Sequence, residues 1–99
     1  MEIIKEVNGK ELTIKLTGSL DSSTAPRLEE EVSSSLKGIE NLIFDFEKLD
    51  YLSSAGLRIL LVAQKVMNKQ GKMSIHHVNS DIMDIFNMTG FNNILDIVD

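Results

Sequence analysis

The chain of 99 residues contains no cysteine. That excludes disulfides, thiolate metal sites and cysteine nucleophiles, and it is compatible with a reducing compartment. Basic residues are scarce: 10 Lys and Arg stand against 15 Asp and Glu, for a net charge of -5. A phosphate-backbone ligand attracts the opposite sign, so nucleic acid is not an expected partner. No apolar run approaches membrane-spanning length. The opening Met1-Glu2-Ile3-Ile4-Lys5-Glu6 reads as a strand rather than a signal peptide. These absences describe a cytoplasmic protein without a membrane partner. There is no Gly-x-x-x-x-Gly-Lys-Ser/Thr phosphate loop and no Gly-x-Ser-x-Gly nucleophile elbow. The two histidines, His76 and His77, are adjacent on a late strand-like segment and point to opposite faces, so they cannot share a metal from a regular strand. Each reads as a surface or core-edge residue. No catalytic residue, metal or cofactor is expected, and the chain does not read as an enzyme.

What is present suffices for one domain over residues 1–99 with a single, small core. The apolar fraction of 42% is that of a globular protein. A short apolar stretch at residues 3–7 is followed by Asn8-Gly9, a hairpin signal in which both positions tolerate positive φ. Leu12, Ile14 and Leu16 alternate with Thr13, Lys15 and Thr17, as in a strand with one buried face. Residues 18–24 form a loop of turn formers and potential caps. Pro26 suits the first turn of a helix, and Ala25, Leu28, Val32 and Leu36 then recur at three- and four-residue steps. Glu29, Glu30 and Glu31 read as a solvated face early in that helix, where the dipole favours acid, and Gly38 as its C′ residue.

The chain is organised around Leu49-Asp50-Tyr51-Leu52-Ser53-Ser54-Ala55-Gly56-Leu57-Arg58-Ile59-Leu60-Leu61. An apolar strand, Leu42-Ile43-Phe44-Asp45-Phe46, precedes this segment, and a helix-periodic run to about Gln70 leaves it, with Gly71 as terminator. The serine pair therefore sits at a strand-to-helix junction. It is either a simple N-cap or the edge of a site that favours an anion, because the helix start carries partial positive charge and free N–H groups. On a helical wheel Ile59, Val62, Ala63, Val66 and Met67 form the apolar arc, with Leu60 at its margin. Leu57 and Leu61 fall among polar residues one turn apart. Either they are partner anchors or another element of the domain covers them.

Met73-Ser74-Ile75-His76-His77-Val78 reads as a further strand. Asn79-Ser80-Asp81 caps a helix with Ile82, Ile85 and Phe86 on one face, ending near Gly90. Residues 94–98 are either a final strand or a short helix. The fold class is α/β: a mixed, mostly parallel sheet of four to five strands with three to four helices, in the order β-β-α-β-α-β-α(-β). Residues 20–24 and 50–54 then both lie at the carboxyl end of the sheet, with Asp21 and Ser54 as neighbours on one surface with Leu57 and Leu61.

Three motifs in this order carry a family resemblance: Thr17-Gly18-Ser19-Leu20-Asp21, then Asp50-Tyr51-Leu52-Ser53-Ser54-Ala55-Gly56-Leu57, then Phe86-Asn87-Met88-Thr89-Gly90-Phe91. Together they resemble the STAS domain of bacterial anti-sigma-factor antagonists, over nearly the whole chain. The resemblance implies binding to an anti-sigma factor that is also a serine kinase, loss of binding when that kinase phosphorylates the antagonist, and reversal by a PP2C-type phosphatase. It places the phosphoserine two residues before the motif glycine, at Ser54, with Ser53 as the alternative because the chain has serine where the sporulation antagonist has the motif aspartate. It implies a partner-binding surface of Asp21, Ser22, Ser23, Thr24, Ser53, Ser54, Ala55, Gly56, Leu57, Arg58 and Leu61. A STAS scaffold or regulatory subunit, in a stress-signalling or lipid-transport complex, would use the same surface without a phosphate cycle.

Overall fold

The computed structural model describes residues 1–98. The last residue of the expected 1–99 domain, Asp99, lies outside the described residues. Five strands form one sheet in the order β1-β2-β3-β4-β5. They are β1 (Glu2–Asn8), β2 (Glu11–Leu20), β3 (Asn41–Leu52), β4 (Lys72–His76) and β5 (Ile97–Val98). Helices α1 (Ala25–Ser35), α2 (Ser54–Met67) and α3 (Ser80–Thr89) alternate with them, and a 3-10 turn spans Phe91–Asn93. β1 pairs antiparallel with β2, and β2 to β5 run parallel. The open choice over residues 94–98 resolves as a strand, the two-residue β5, with Ile75 opposite Ile97 and His76 opposite Val98; the 3-10 turn precedes that segment.

Each parallel step moves to the next strand in the same direction. Right-handed crossovers that all step the same way place their helices on one face, and the burial pattern agrees. Leu12, Ile14 and Leu16 of β2, Leu42, Phe44 and Phe46 of β3, and Met73 and Ile75 of β4 are buried. They join Leu28 and Val32 of α1, Leu60 and Met67 of α2, and Ile82 and Phe86 of α3 in one cluster. Thr13, Lys15, Thr17, Ile43, Asp45, Ser74 and His76 alternate with the strand members of that set and line the uncovered face.

Several local expectations shift by a residue or two. The hairpin turn is Gly9-Lys10, between the paired Asn8 and Glu11, and only Gly9 has positive φ. That is the first-position glycine of a II′ turn. Glu29, Glu30 and Glu31 lie beyond the first turn of α1, which contains no acid, so the dipole does little for them; Glu31 instead meets Lys5 of β1 at 2.6 Å. Gly38 takes φ 80, but it stands two residues past the C-cap Leu36. Helix α2 ends at Met67, and Gln70 folds back to donate to the carbonyls of Leu36 and Ile39 at 2.6 and 2.7 Å. Strand β4 stops at His76, and His77 turns the chain with φ 59.

The third motif has a packing explanation. Phe86 is fully buried, Gly90 closes α3 in the left-handed conformation, and Phe91 opens the 3-10 turn against the core. The start of α3 is anchored by Asn79. Its side-chain oxygen accepts from the Ile82 N–H at 2.8 Å, and its amide donates to the Leu49 carbonyl at 3.0 Å. One residue thus caps α3 and ties it to β3 near the serine junction.

Candidate functional site

Strand β3 runs farther than its apolar core suggests. Asp50, Tyr51 and Leu52 belong to it rather than to a loop, and Gly18, Ser19 and Leu20 likewise extend β2. Register shifts between Lys15 and Thr17 and between Gly18 and Ser19 keep Leu20 opposite Leu52. The junctions that follow are therefore adjacent: the Ser53 N–H donates to the Leu20 carbonyl at 2.9 Å. Asp21, at the end of β2, and Ser54, at the start of α2, flank this bond. The sheet order never reverses, so there is no crevice of the kind found at a topological switch point. The site lies at the carboxyl end of the sheet, where β2 and β3 end side by side.

The β2–α1 loop is held by its own polar groups. The Asp21 carboxylate accepts from the Ser23 hydroxyl at 2.7 Å, the Ser23 N–H at 2.9 Å and the Thr24 N–H at 3.2 Å. The Asp21 N–H donates to the Thr24 hydroxyl at 2.9 Å, and that hydroxyl donates to the Ser19 carbonyl at 2.8 Å. The Ser23 hydroxyl and N–H, helped by Thr24, hold the Asp21 carboxyl below its ordinary value against an opposing push from desolvation. Asp21 is thus a fixed negative charge beside the serine junction.

The two serines differ. Ser54 is exposed at the first position of α2. Ser53 is the N-cap residue, with extended backbone, yet its side chain caps no N–H. Its Oγ is buried without a hydrogen-bond partner among the described residues. An unpaired buried hydroxyl costs about 1–3 kcal/mol, whereas a capping serine contributes about 1 kcal/mol. Ser53→Ala is therefore expected to leave the melting temperature unchanged or to raise it. A loss of about 1 kcal/mol in a denaturant titration would instead show a capping role.

The expected pair of exposed leucines is corrected. Leu57 is only 7% exposed and belongs to the core, and Leu61 is half-buried. The cause is Gly56. A Cβ at that position would lie 2.6 Å from Leu52 Cδ1 and 2.8 Å from Leu20 Cγ. The missing side chain lets α2 settle onto the ends of β2 and β3 through Gly56, which turns Leu57, Leu60, Gln64 and Met67 inward. Val62, placed on the apolar arc by the wheel, is 41% exposed. The buried Gln64 donates to Asn68 Oδ1 at 2.8 Å. The outward stripe of α2 is Ser54, Arg58, Leu61, Val62 and Lys65, with Ala55 half-buried beside it. Ser22 and Ser23 are exposed on the neighbouring loop, and Thr24 is half-buried in it. The spacing of Gly56, Leu60 and Met67 carried the signal for this rotation, since a glycine can mark the closest approach of a helix to a sheet.

A second polar cluster lies on the uncovered face. His77 Nδ1 meets Asp45 Oδ1 at 2.9 Å, and Asp45 also accepts from the Glu47 N–H at 3.0 Å. Burial pushes the Asp45 carboxyl up, but the hydrogen bonds from His77 and Glu47 and the charges of His77 and Lys15 outweigh it and hold the group low. The hydrogen bond that His77 donates to Asp45, together with the Asp45 charge, raises His77 in turn. Asp45, Glu47 and His77 bring ligand-type atoms within 4.8 Å of one another, but Asp45 is already engaged by His77. A shallow cavity of about 150 Å³ adjoins this corner, between Ile4, Lys15, Thr17, Glu47 and Lys48. His76 points from the same face, with Nε2 3.1 Å from Ser74 Oγ. No helix of the described residues is long and apolar enough to cross a membrane.

The STAS domain family profile matches residues 2–99. The chain is 34% identical over 84 residues to BtrV of Bordetella bronchiseptica, which is named as a candidate anti-sigma factor antagonist; the match covers 83% of this chain and 72% of that one. It is 29% identical over 97 residues to the anti-sigma-B factor antagonist of Listeria monocytogenes, covering 95% and 84%. The fold is shared with the anti-sigma factor antagonist SpoIIAA in its unphosphorylated form, at a TM-score of 0.79 and 18% identity over 99% of this chain and 88% of that one. It is shared equally with SpoIIAA from Bacillus in its phosphorylated form, at a TM-score of 0.77 and 18% identity over 99% and 92%. The chain belongs to the STAS-domain family of anti-sigma factor antagonists.

Proposed function

We propose that this protein binds an anti-sigma factor that is also a serine kinase, through the exposed start of α2 and the adjoining β2–α1 loop, and that phosphorylation of Ser54 abolishes binding. The observation that carries the reading is the contrast between the serines: the Ser54 side chain is exposed at the helix start, whereas Ser53 Oγ is buried. A kinase must bring the γ-phosphorus of ATP into line with the attacking oxygen, and of the two junction serines only Ser54 offers its hydroxyl to solvent. In the transfer the Ser54 oxygen bonds to phosphorus, ADP leaves with the bridging oxygen, and the hydroxyl proton passes to a base on the kinase. This chain supplies the nucleophile alone, which fits its role as a substrate and binding module rather than an enzyme. A PP2C-type phosphatase would reset the switch, and the cycle would run in the cytoplasm.

The phosphate adds close to two negative charges and three acceptor oxygens. It would enter a surface that already holds Asp21 as a fixed anion. A docked partner would have to desolvate that charge, which is costly without a matching cation. Incubation with the anti-sigma kinase and ATP, followed by peptide mapping, is expected to place one phosphate on Ser54 and none on Ser53, with Ser54→Ala still binding the kinase. A phosphate on Ser53 would contradict the assignment. Intact binding with no phosphate on any serine would mark the protein as a constitutive scaffold.

A further inference from the structure

We propose that Arg58 is the internal counter-ion of a phosphate on Ser54, so that the modified surface presents a closed phosphate–guanidinium pair. This inference rests on the reading that Ser54 is phosphorylated, and it concerns what the domain does with the phosphate. Ser54 and Arg58 are both exposed and stand four residues apart on α2. Such residues are neighbours on a helix surface, and an anion N-terminal to a cation at this spacing is the favoured order. Arg58 pairs with no carboxylate among the described residues, so its guanidinium is available. A guanidinium fork matches two phosphate oxygens at once.

The surroundings direct the phosphate the same way. On the loop side stands the ionised Asp21, whose Oδ1 accepts from Ser23 and Thr24 and which has no proton to donate to a phosphate. On the helix side no side chain caps the first turn of α2, so backbone N–H groups remain to be satisfied. Repulsion from one side and donors on the other place the phosphate over the first turn, within reach of Arg58. Formation of the pair has a second consequence. Phosphorylation would add a dianion and also withdraw Arg58 from any acidic group of the partner that it meets in the unmodified complex.

The test uses full-length protein made with phosphoserine encoded at position 54, so that no kinase is needed. The second ionisation of phosphoserine lies near pH 6, and phosphorus NMR reads it directly. In the protein with Arg58 intact it is expected about 0.3 of a pH unit below its value in Arg58→Gln. Arg58→Lys should recover part of the difference, and the Arg58 Nε–H signal should move on phosphorylation. Coincident titration curves together with an unmoved Arg58 signal would overturn the pairing. That result would leave Ser54 as the modification site untouched, since kinase mapping decides that separately. Arg58 is exposed, and the far-ultraviolet circular dichroism spectrum of each variant confirms that the fold is retained.

Discussion

Gly71→Ala is expected to destabilise the domain by about 3 kcal/mol or more, and so to lower its melting temperature by roughly 12 °C or more. A Cβ at Gly71 would lie 1.9 Å from the Glu40 carbonyl oxygen, 2.6 Å from its carbon and 2.8 Å from its Cα. These are backbone atoms and cannot rotate away. They are also fixed on both sides: the Glu40 N–H donates to the Lys10 carbonyl at 2.8 Å, and the Lys72 N–H donates to the Glu40 carbonyl at 2.9 Å. Relieving the clash would part the starts of β2, β3 and β4 together. For a domain whose total stability is about 5–15 kcal/mol, that is a large share. Gly56→Ala makes a useful contrast. Its new Cβ would meet the side chains of Leu20 and Leu52, which can yield in part, and alanine recovers up to about 1 kcal/mol of helix propensity. Its effect on stability should be smaller. Thermal denaturation of both variants checks the ranking, and a Gly71→Ala protein melting within a few degrees of the parent would contradict it.

Gly71 also shows what kind of information the sequence held. The sequence points to it as the terminator of α2, but the helix ends at Met67 with Asn68 as its C-cap, and Gly71 lacks the positive φ of a terminating glycine; its requirement is a close approach between two backbones distant in sequence. Strand existence and order were readable because the alternation in residues 12–17 and the apolar run at 42–46 reflect one buried face. The cap at Asn79 and the left-handed Gly90 were readable for the same local reasons. The orientation of α2 was not. It depends on how deeply the helix sits on the sheet, and a wheel that gives glycine no weight places Leu57 outside and Val62 inside. The distinction between Ser53 and Ser54 was equally hidden. Both are serines at a junction, and only the register that puts Leu20 opposite Leu52 sends one hydroxyl inward and leaves the other in solvent.

Phosphorylation of Ser54 is expected to weaken binding to the anti-sigma kinase by about 100-fold or more while leaving the fold intact. A mismatch of like charges at an interface costs several kcal/mol, and about 2.8 kcal/mol already corresponds to 100-fold in affinity. Within the domain the same phosphate has the opposite sign of effect. At a helix start it gains about 0.3–1 kcal/mol from the dipole and free N–H groups. The domain carries a net charge of -5, but exposed charges farther apart than about 10 Å are largely screened at ordinary ionic strength. The melting temperature should therefore change by only a few degrees. The proposed switch would be a change of charge at a docking surface, with no rearrangement behind it.

The most direct test is a calorimetric titration of the anti-sigma kinase with the Ser54 form and with the Ser54-phosphorylated form, with the melting temperature of each recorded in the same buffer. The predicted result is a loss of affinity of about 100-fold or more between two forms that melt within a few degrees of each other. Equal affinities would contradict the proposed switch. A phosphorylated form that melts far lower would show that phosphorylation acts by rebuilding the start of α2 and not by placing charge on an intact surface.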